Sequence, residues 1–273
     1  MFRPKPPSKK SSKVQKTSKT QNFACGMSVL LWLFSFFLPA CQHTPASSQA
    51  APVPAATPAP QDSFAREYLL GKFDPASHPD FVQVGKPYTD RSGMMLRKET
   101  FEAFKQMYQA AKADGIVLRI ISSTRTFGQQ KTIWETKWER FAKDAPLPKD
   151  RALKILQFSS MPGSSRHHWG TDVDLNDLNN PSFEAGGKYQ KVYAWLQAHA
   201  HEYGFCQPYT AGRAHGYQEE KWHWSYTTLS KPLLQAYKKQ LTDAEIQGFK
   251  GAELAPELHT VEYYVGDINT DCQ

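Results

Sequence analysis

Outside its first 40 residues, the chain has no excess of charge of either sign. It contains 33 lysine and arginine residues against 26 acidic residues, and seven of the basic residues lie before Cys41, where no acidic residue occurs. The remaining 26 basic and 26 acidic residues cancel, so the pI of about 9.1 comes from the N-terminal segment. Because residues 41–273 carry no net basic charge, the sequence gives little reason to predict nucleic-acid binding. We expect no nucleic-acid partner.

The chain also has no internal repeat and only one linker. Residues 44–61 are nearly all Ala, Pro, Ser and Thr, with too few large apolar side chains to form a core. In an extended polyproline conformation, such a tether reaches roughly 50 Å at about 3.1 Å per residue. Residues 63–273 are numerous enough for one domain with a sizeable core, and we expect a single monomeric domain there.

The apolar run from Phe23 to Leu38 is short for a membrane span, at about 16 residues where roughly 20 are needed. It follows basic residues and leads into Leu-Pro-Ala-Cys, with a small residue before Cys41 as at a signal cleavage site. This segment resembles the lipobox of bacterial lipoproteins. The resemblance implies a signal peptide over residues 1–40, lipidation of Cys41 and a tether over residues 41–62; the alternative is an uncleaved membrane anchor.

Either alternative places the domain in the cell envelope, held to a membrane through its N-terminus and facing the periplasm. Gln42 after the lipidated cysteine favours the outer membrane if the host has two. Because Cys25 leaves with the signal and Cys41 carries lipid, Cys206 and Cys272 remain in an oxidising compartment. We predict a disulfide between them; the alternative is two unpaired cysteines.

Two imidazoles and two carboxylates surround a glycine in residues 165–174, Ser-Arg-His-His-Trp-Gly-Thr-Asp-Val-Asp. Zinc binds His nitrogen and Asp oxygen, and a hydrolytic site needs three protein ligands and one open position. His167 and Asp174 are seven residues apart, so the chain must turn between them, most naturally at Gly170. A strand over residues 171–175 then puts Asp172 and Asp174 on one face, and His168 remains an alternative ligand.

The third ligand is predicted to be His223, which lies between two tryptophans in residues 222–226. On a strand, His223 faces opposite to Trp222 and Trp224, so the indoles can enter a core while the imidazole faces a cleft. A glutamate just upstream supplies the base. An ideal strand favours Glu219, which would share the face of His223, whereas Glu220 requires a turn before the strand.

A strand over residues 116–121 leads to Arg125, and Thr126 is placed to cap a helix over residues 127–142. A guanidinium at this position can bind a carboxylate or neutralise an oxyanion; the alternative is a surface salt bridge. Gln130, one turn into the helix, is placed to hydrogen-bond the same ligand, and Trp134 and Trp138 are expected to pack in the core.

Together, these three motifs resemble the VanY-type D-alanyl-D-alanine carboxypeptidases, zinc peptidases that trim peptidoglycan stem peptides. The resemblance covers residues from about 122 to 226 and rests on Ser-x-x-Arg, Ser-x-His-x-x-Gly-x-x-x-Asp and Glu-x-Trp-His. It implies Zn²⁺ as cofactor and the stem peptide as partner. The residues implied are the ligands His167, Asp174 and His223, the base Glu220, the charge-stabilising and substrate-binding Arg125, and the substrate-binding Ser165 and Gln130.

One departure from the family is Asp172, where a small residue is usual. Three roles are open for Asp172: it hydrogen-bonds a histidine ligand, it binds an amine of the substrate, or its side chain is turned away from the site. Alternative activities are D,D-endopeptidase and L,D-carboxypeptidase, and a different class is a non-catalytic wall-binding lipoprotein. The expected fold is α+β, one small domain with a mixed or antiparallel sheet flanked by helices and zinc in a cleft on the sheet.

Hydrophobic periodicity predicts the remaining elements. Helices are expected over residues 98–113, 151–158, 187–203, 232–240 and 242–249. Residues 260–265 show strand-like alternation.

Overall fold

The computed structural model describes residues 65–273, all within one compact unit. The predicted signal peptide 1–40, Cys41 and the tether 41–62 lie outside the described residues. Within residues 65–273, none of the helices combines the length and apolarity that crossing a bilayer requires.

Two antiparallel sheets lie among six α-helices in residues 65–273. The first sheet pairs β1 (Phe81–Val84) with β2 (Met94–Arg97). The second has the order β3-β4-β6-β5 and consists of β3 (Ile120–Ser122), β4 (Asp172–Leu175), β5 (Phe205–Cys206) and β6 (His223–Tyr226). Its strand pairs are all antiparallel, so the expected α+β class is confirmed with an antiparallel sheet.

The α-helices are α1 (Arg66–Leu69), α2 (Lys98–Ala113), α3 (Phe127–Arg140), α4 (Pro148–Leu156), α5 (Gln190–His199) and α6 (Thr227–Gln240). Short 3-10 turns lie at Arg166–Trp169, Asn180–Phe183, Ala200–Tyr203, Asp243–Glu245, Ala252–Leu254 and Thr270–Cys272. Helix α2 has the predicted bounds. Helix α3 begins as predicted after Thr126, whose hydroxyl and the Gln129 side chain form a reciprocal cap.

The two faces of the four-stranded sheet differ because side chains alternate along β4 and β6. Val173, Leu175, Trp224 and Tyr226 enter a core that also contains apolar residues of α2 and α5. The opposite face carries Asp172, Asp174, His223 and Ser225, each at most 4% exposed. The sheet therefore buries a polar cluster on one side and an apolar core on the other.

Several predicted elements differ in extent. The strand over 116–121 is confined to β3, because the Asn176 side chain bonds the backbone at Val117 and Arg119 in place of a strand partner. The helix over 151–158 begins earlier, at Pro148. The helix over 187–203 is split into α5 and a 3-10 turn, and the helix over 232–240 begins earlier, at Thr227, with Pro232 inside it.

Two C-terminal predictions are wrong. Residues 242–249 contain only the turn Asp243–Glu245, because Thr242 and Glu245 cap each other and close a single turn. Residues 260–265 belong to a π-helix, Thr260–Gly266, rather than a strand. Its buried residues are Thr260, Tyr264 and Val265, a helical spacing that the apparent alternation concealed.

The predicted disulfide between Cys206 and Cys272 is present and joins the edge strand β5 to the C-terminus. It closes a loop with a sequence separation of 66 residues. In the chain-entropy model, replacing both cysteines with serine is expected to lower the free energy of unfolding by roughly 4 kcal/mol. Urea unfolding of both proteins under non-reducing conditions measures this difference, and equal midpoints would contradict the prediction.

Candidate active site

His167, Asp174 and His223 converge on the polar face of the sheet. Each offers one ligand atom, and the three atoms lie within 4.8 Å of one another. Oδ1 of Asp174 is 3.3 Å from His167 Nε2 and 3.2 Å from His223 Nδ1. The antiparallel register places Asp174 of β4 directly beside His223 of β6, while Gly170, with φ of 76°, turns the chain between His167 and β4.

Both imidazoles are oriented by hydrogen bonds from the nitrogen that faces away from the cluster. Nδ1 of His167 donates to the Ser123 carbonyl at 2.8 Å, and Nε2 of His223 donates to Oδ2 of Asp172 at 2.8 Å. Carbonyl and carboxylate oxygens only accept. The two inward-facing nitrogens therefore keep free lone pairs, as metal ligands require.

The donor set fits a divalent cation such as zinc. Among the described residues, His167 Nε2 and Asp174 Oδ1 are buried with no hydrogen-bond partner. Three carboxylates, Asp172, Asp174 and Glu220, lie within 3.4 Å of His223, so the site has buried negative charge for a cation to balance. Two nitrogens and one oxygen are a common zinc ligand set in hydrolases.

Asp172 lies at the centre of a buried network behind His223. Its carboxylate accepts from Arg166 Nε at 3.0 Å, Thr171 Oγ1 at 2.6 Å and Ser225 Oγ at 2.8 Å, in addition to His223. Burial alone would raise the pKa of Asp172, but the Arg166 guanidinium and the hydrogen bond from His223 bring it well below its usual range. Of the three roles left open for Asp172, this geometry matches that of a histidine partner.

The two glutamates before β6 differ in their surroundings. Glu220 lies in the turn that precedes the strand, where His223 N donates to its carbonyl, and its carboxylate is 3.4 Å from His223 Nδ1. Burial raises the pKa of Glu220, although the positive charge of Arg125 opposes this shift. The Glu219 carboxylate instead pairs with Lys221 at 2.5 Å. Glu220 thus lies at the cluster, and Glu219 does not.

A cleft of about 340 Å³ opens onto the cluster. Arg125 lines it, and the Arg125 backbone bonds the neighbouring motif: its N–H donates to the His167 carbonyl at 3.0 Å. The structure therefore brings Arg125 together with the three predicted ligands and Glu220, although these residues come from segments separated by up to about 100 positions in the sequence.

Two residues implied by the family resemblance lie outside the lining of this cleft. Gln130 is 1% exposed, and its amide donates to the Ser160 carbonyl at 2.8 Å. Ser165 is also 1% exposed and precedes the turn that carries His167. Their direct contact with a substrate stays a prediction.

Arg213 lies in the loop that follows Tyr209, at the rim of the site. Its guanidinium donates to the backbone carbonyls of Thr210, His215, Tyr217 and Asp267. These bonds hold the loop in place.

Three residues that line the cleft were missed or misplaced from the sequence. Lys137 of α3 and Tyr209 both line it, and the centroid of the Tyr209 ring lies 4.8 Å from that of the His223 ring. Trp222 was predicted to enter the core with Trp224, but it also lines the cleft because β6 begins only at His223. Helical spacing from Ile133 to Lys137 was the one available signal for Lys137.

His168, the alternative ligand, points away from the cluster and joins two other segments. Its Nδ1 donates to the Arg125 carbonyl at 2.6 Å, and its Nε2 accepts from the Gly163 N–H at 3.0 Å. Both ring nitrogens are occupied, so His168 supports the backbone around Arg125 and is not available as a ligand.

The stability of the protein is expected to fall in acid because of His168. Burial lowers the pKa of this imidazole to about 3, whereas in the unfolded chain it stays near 6.5. The unfolded state therefore binds an extra proton below about pH 6.5, and the stability present above that pH is lost progressively toward pH 3. At pH 5 the loss from His168 is roughly 2 kcal/mol, at 1.36 kcal/mol per pH unit.

Urea unfolding at pH 7 and pH 5 tests this, with His168→Gln as the comparison. The variant should show a smaller drop in the free energy of unfolding between the two pH values, by about 2 kcal/mol. An identical drop in both proteins would contradict the assignment.

A His-Asp-His cluster with a buried glutamate in a cleft is the arrangement of a metal-dependent hydrolase. Comparison with known protein families identifies the particular family of hydrolases. The family model VanY, D-alanyl-D-alanine carboxypeptidase, matches residues 93–229, which is half of the chain and includes all three motifs. The chain belongs to the VanY family.

Individual relatives agree with this family. The putative carboxypeptidase YodJ of Bacillus subtilis is 31% identical over 139 residues, which are 48% of this chain and 46% of that protein. A D-alanyl-D-alanine carboxypeptidase of Enterococcus faecalis is 26% identical over 124 residues, 45% of this chain and 44% of that protein. The chain therefore spans about half the length of the curated relatives it matches.

Among solved structures, a mutant of the vancomycin-resistance D,D-pentapeptidase VanY in complex with Zn(II) is 22% identical to this chain. The match covers 63% of this chain and 87% of that one, with a TM-score of 0.44.

Proposed function

We propose that the protein is a zinc-dependent D-alanyl-D-alanine carboxypeptidase that trims peptidoglycan stem peptides. The observation that carries this proposal is the convergence of His167, Asp174 and His223 within 4.8 Å beside Glu220, in a cleft that also holds Arg125. The vancomycin-resistance relative named above binds Zn(II), which supports the choice of metal.

The proposed chemistry divides among a few side chains. When bound by the two histidines and Asp174, zinc would polarise the scissile carbonyl and lower the pKa of the attacking water. Glu220 takes a proton from that water and returns it to the nitrogen of the departing D-alanine. Arg125 stabilises the negative charge that develops on the carbonyl oxygen. The raised pKa of Glu220 suits a group that must both accept and donate a proton.

The proposal is tested by mass-spectrometric analysis of muropeptides after incubation with the purified, zinc-loaded protein. Loss of one alanine from the pentapeptide establishes D,D-carboxypeptidase action. Trimming of the tetrapeptide or cleavage of crosslinks would move the protein to the L,D-carboxypeptidase or endopeptidase activities. Binding of zinc with no product from any of the three would favour a non-catalytic wall-binding protein.

We further propose that the domain acts in the cell envelope as a monomer, lipid-anchored through Cys41 and facing the periplasm. The disulfide between Cys206 and Cys272 supports this location, since such bonds persist in oxidising compartments. Metabolic labelling with a palmitate analogue tests the anchor, with Cys41→Ser as the variant that should lose the label.

A further inference from the structure

Two cations line the cleft without an ion-pair contact to a carboxylate. Arg125 and Lys137 both lie in its wall, and neither forms an ion pair with any acidic side chain of residues 65–273. Nε of Arg125 is buried with no hydrogen-bond partner. Lys137 Nζ donates to the hydroxyl of Ser159, which also lines the cleft.

The other basic side chains around the site are already engaged. Arg166 is held by Asp172 and Ser225, and Lys221 pairs with Glu184 and Glu219. The guanidinium of Arg213 donates hydrogen bonds to backbone carbonyls. Arg125 and Lys137 are therefore the cations of the described cleft that can receive negative charge from a ligand.

The surroundings of Lys137 favour an anionic ligand. Lys137 and Ile133 are four residues apart on α3, and both side chains reach the cleft. Burial lowers the pKa of the Lys137 ammonium and the neighbouring Arg125 adds to this shift, while the charge of Glu220 partly offsets it. An ammonium that is partly desolvated beside another cation is stabilised by a carboxylate at hydrogen-bond distance.

The reaction itself presents two negative charges in different places. One develops transiently on the carbonyl oxygen of the scissile bond, and Arg125 is assigned to it above. The other is permanent and belongs only to a peptide that ends at this site, because an internal residue has no free carboxylate. One cation cannot contact both the carbonyl oxygen and the terminal carboxylate closely. Charge-assisted hydrogen bonds are strong only at close contact, so the two charges call for two cations.

We propose that Lys137, together with the Ser159 hydroxyl, binds the free carboxylate of the terminal residue and thereby selects peptide ends over internal bonds. This assignment rests on the proposed peptidase function and adds the feature that makes it act at chain ends. The ligand class is a peptide with a free C-terminal carboxylate, and the same side chains offer nothing comparable to a peptide that continues beyond the cleft.

The test compares a pentapeptide ending in free D-alanine with the same peptide carrying a C-terminal amide. The unmodified protein should prefer the acid by about 100-fold in kcat/KM, as expected for a partly buried charge pair. Lys137→Met should lower kcat/KM for the acid by about 100-fold, mainly through KM, and leave the amide within about twofold, because only the acid loses a charge-assisted contact.

Two further variants separate charge recognition from folding. Lys137→Arg keeps a cation and should retain most of the preference for the acid. Lys131→Met removes a lysine from the same helix, where Nζ bonds the Gly248 carbonyl at 2.7 Å outside the cleft, and should leave both rates unchanged. Methionine keeps the helix propensity and the apolar stem of lysine, so circular dichroism should show all variants folded.

Binding is measured separately, so that failure of the function and failure of this assignment are distinguishable. In the zinc-loaded Glu220→Gln background, calorimetry should show tighter binding of the acid than of the amide, and Lys137→Met should abolish that difference. If the unmodified protein cleaves neither peptide but this difference still depends on Lys137, the proposed function fails and the carboxylate site stands. A preference that survives Lys137→Met, or no preference for the acid with Lys137 present, overturns the assignment.

Discussion

Replacing Glu220 with glutamine is expected to lower kcat of the proposed carboxypeptidase reaction by about 10²- to 10⁴-fold, the range for loss of a general acid and base. Glutamine has the same shape but cannot accept the proton of the attacking water. Since Glu220 faces the cluster across the 3.4 Å contact with His223 Nδ1 and is not one of the three ligands, zinc should remain bound. Steady-state kinetics and metal analysis of the same preparation measure both quantities.

The neighbouring Glu219→Gln variant is the matched control. The Glu219 carboxylate pairs with Lys221 and is partly exposed, so the rate should change by no more than about twofold, as for a partly exposed ion pair. Equal losses in the two variants, or a larger loss for Glu219→Gln, would show that the base has been assigned to the wrong residue.

Replacing Asp172 with alanine is expected to reduce both stability and zinc affinity. The change leaves the Arg166 guanidinium buried without its partner, which costs roughly 3–5 kcal/mol. It also removes the carboxylate that orients His223, and loss of such a partner typically weakens metal binding by about 10- to 100-fold. Urea unfolding of the metal-free protein and competition with a zinc chelator measure the two effects separately.

A double variant, Asp172→Leu with Arg166→Met, separates these two roles. It removes both buried charges at once, so much of the lost stability should return. The His223 ring still lacks its acceptor, so zinc affinity should stay low. If the double variant binds zinc as tightly as the unmodified protein, Asp172 acts on the fold alone.

Much of the site was predictable because its spacing is local and its chemistry is restrictive. Only a few side chains bind zinc, and Gly170 marked the turn that separates His167 from Asp174. Strand alternation then placed Asp172 and Asp174 on one face, as observed. The choice between Glu219 and Glu220 depended on where β6 begins, which periodicity does not determine, and it required the family register.

The remaining features depend on tertiary contacts that leave little trace in the sequence. From the sequence, Lys137 has the pattern of an ordinary exposed position of α3. Only the tertiary fold brings it beside Arg125. The π-helix Thr260–Gly266 reads as a strand because its apolar residues also alternate. The β1–β2 pair was not anticipated, since its strands have four residues each and lie ten residues apart in the chain, without a tight-turn signal between them.

The loop between Tyr209 and Tyr217, held by Arg213, is expected to reduce the entropy cost of ligand binding. The Arg213 guanidinium bonds carbonyls at Thr210, His215 and Asp267, so we expect the rim beside Tyr209 and Tyr217 to be ordered before a peptide arrives. Ordering a free loop would cost backbone entropy of about 1–2 kcal/mol per residue, and this cost is met during folding instead. A peptide therefore meets a preformed rim, and its association should require little rearrangement of the protein at this edge.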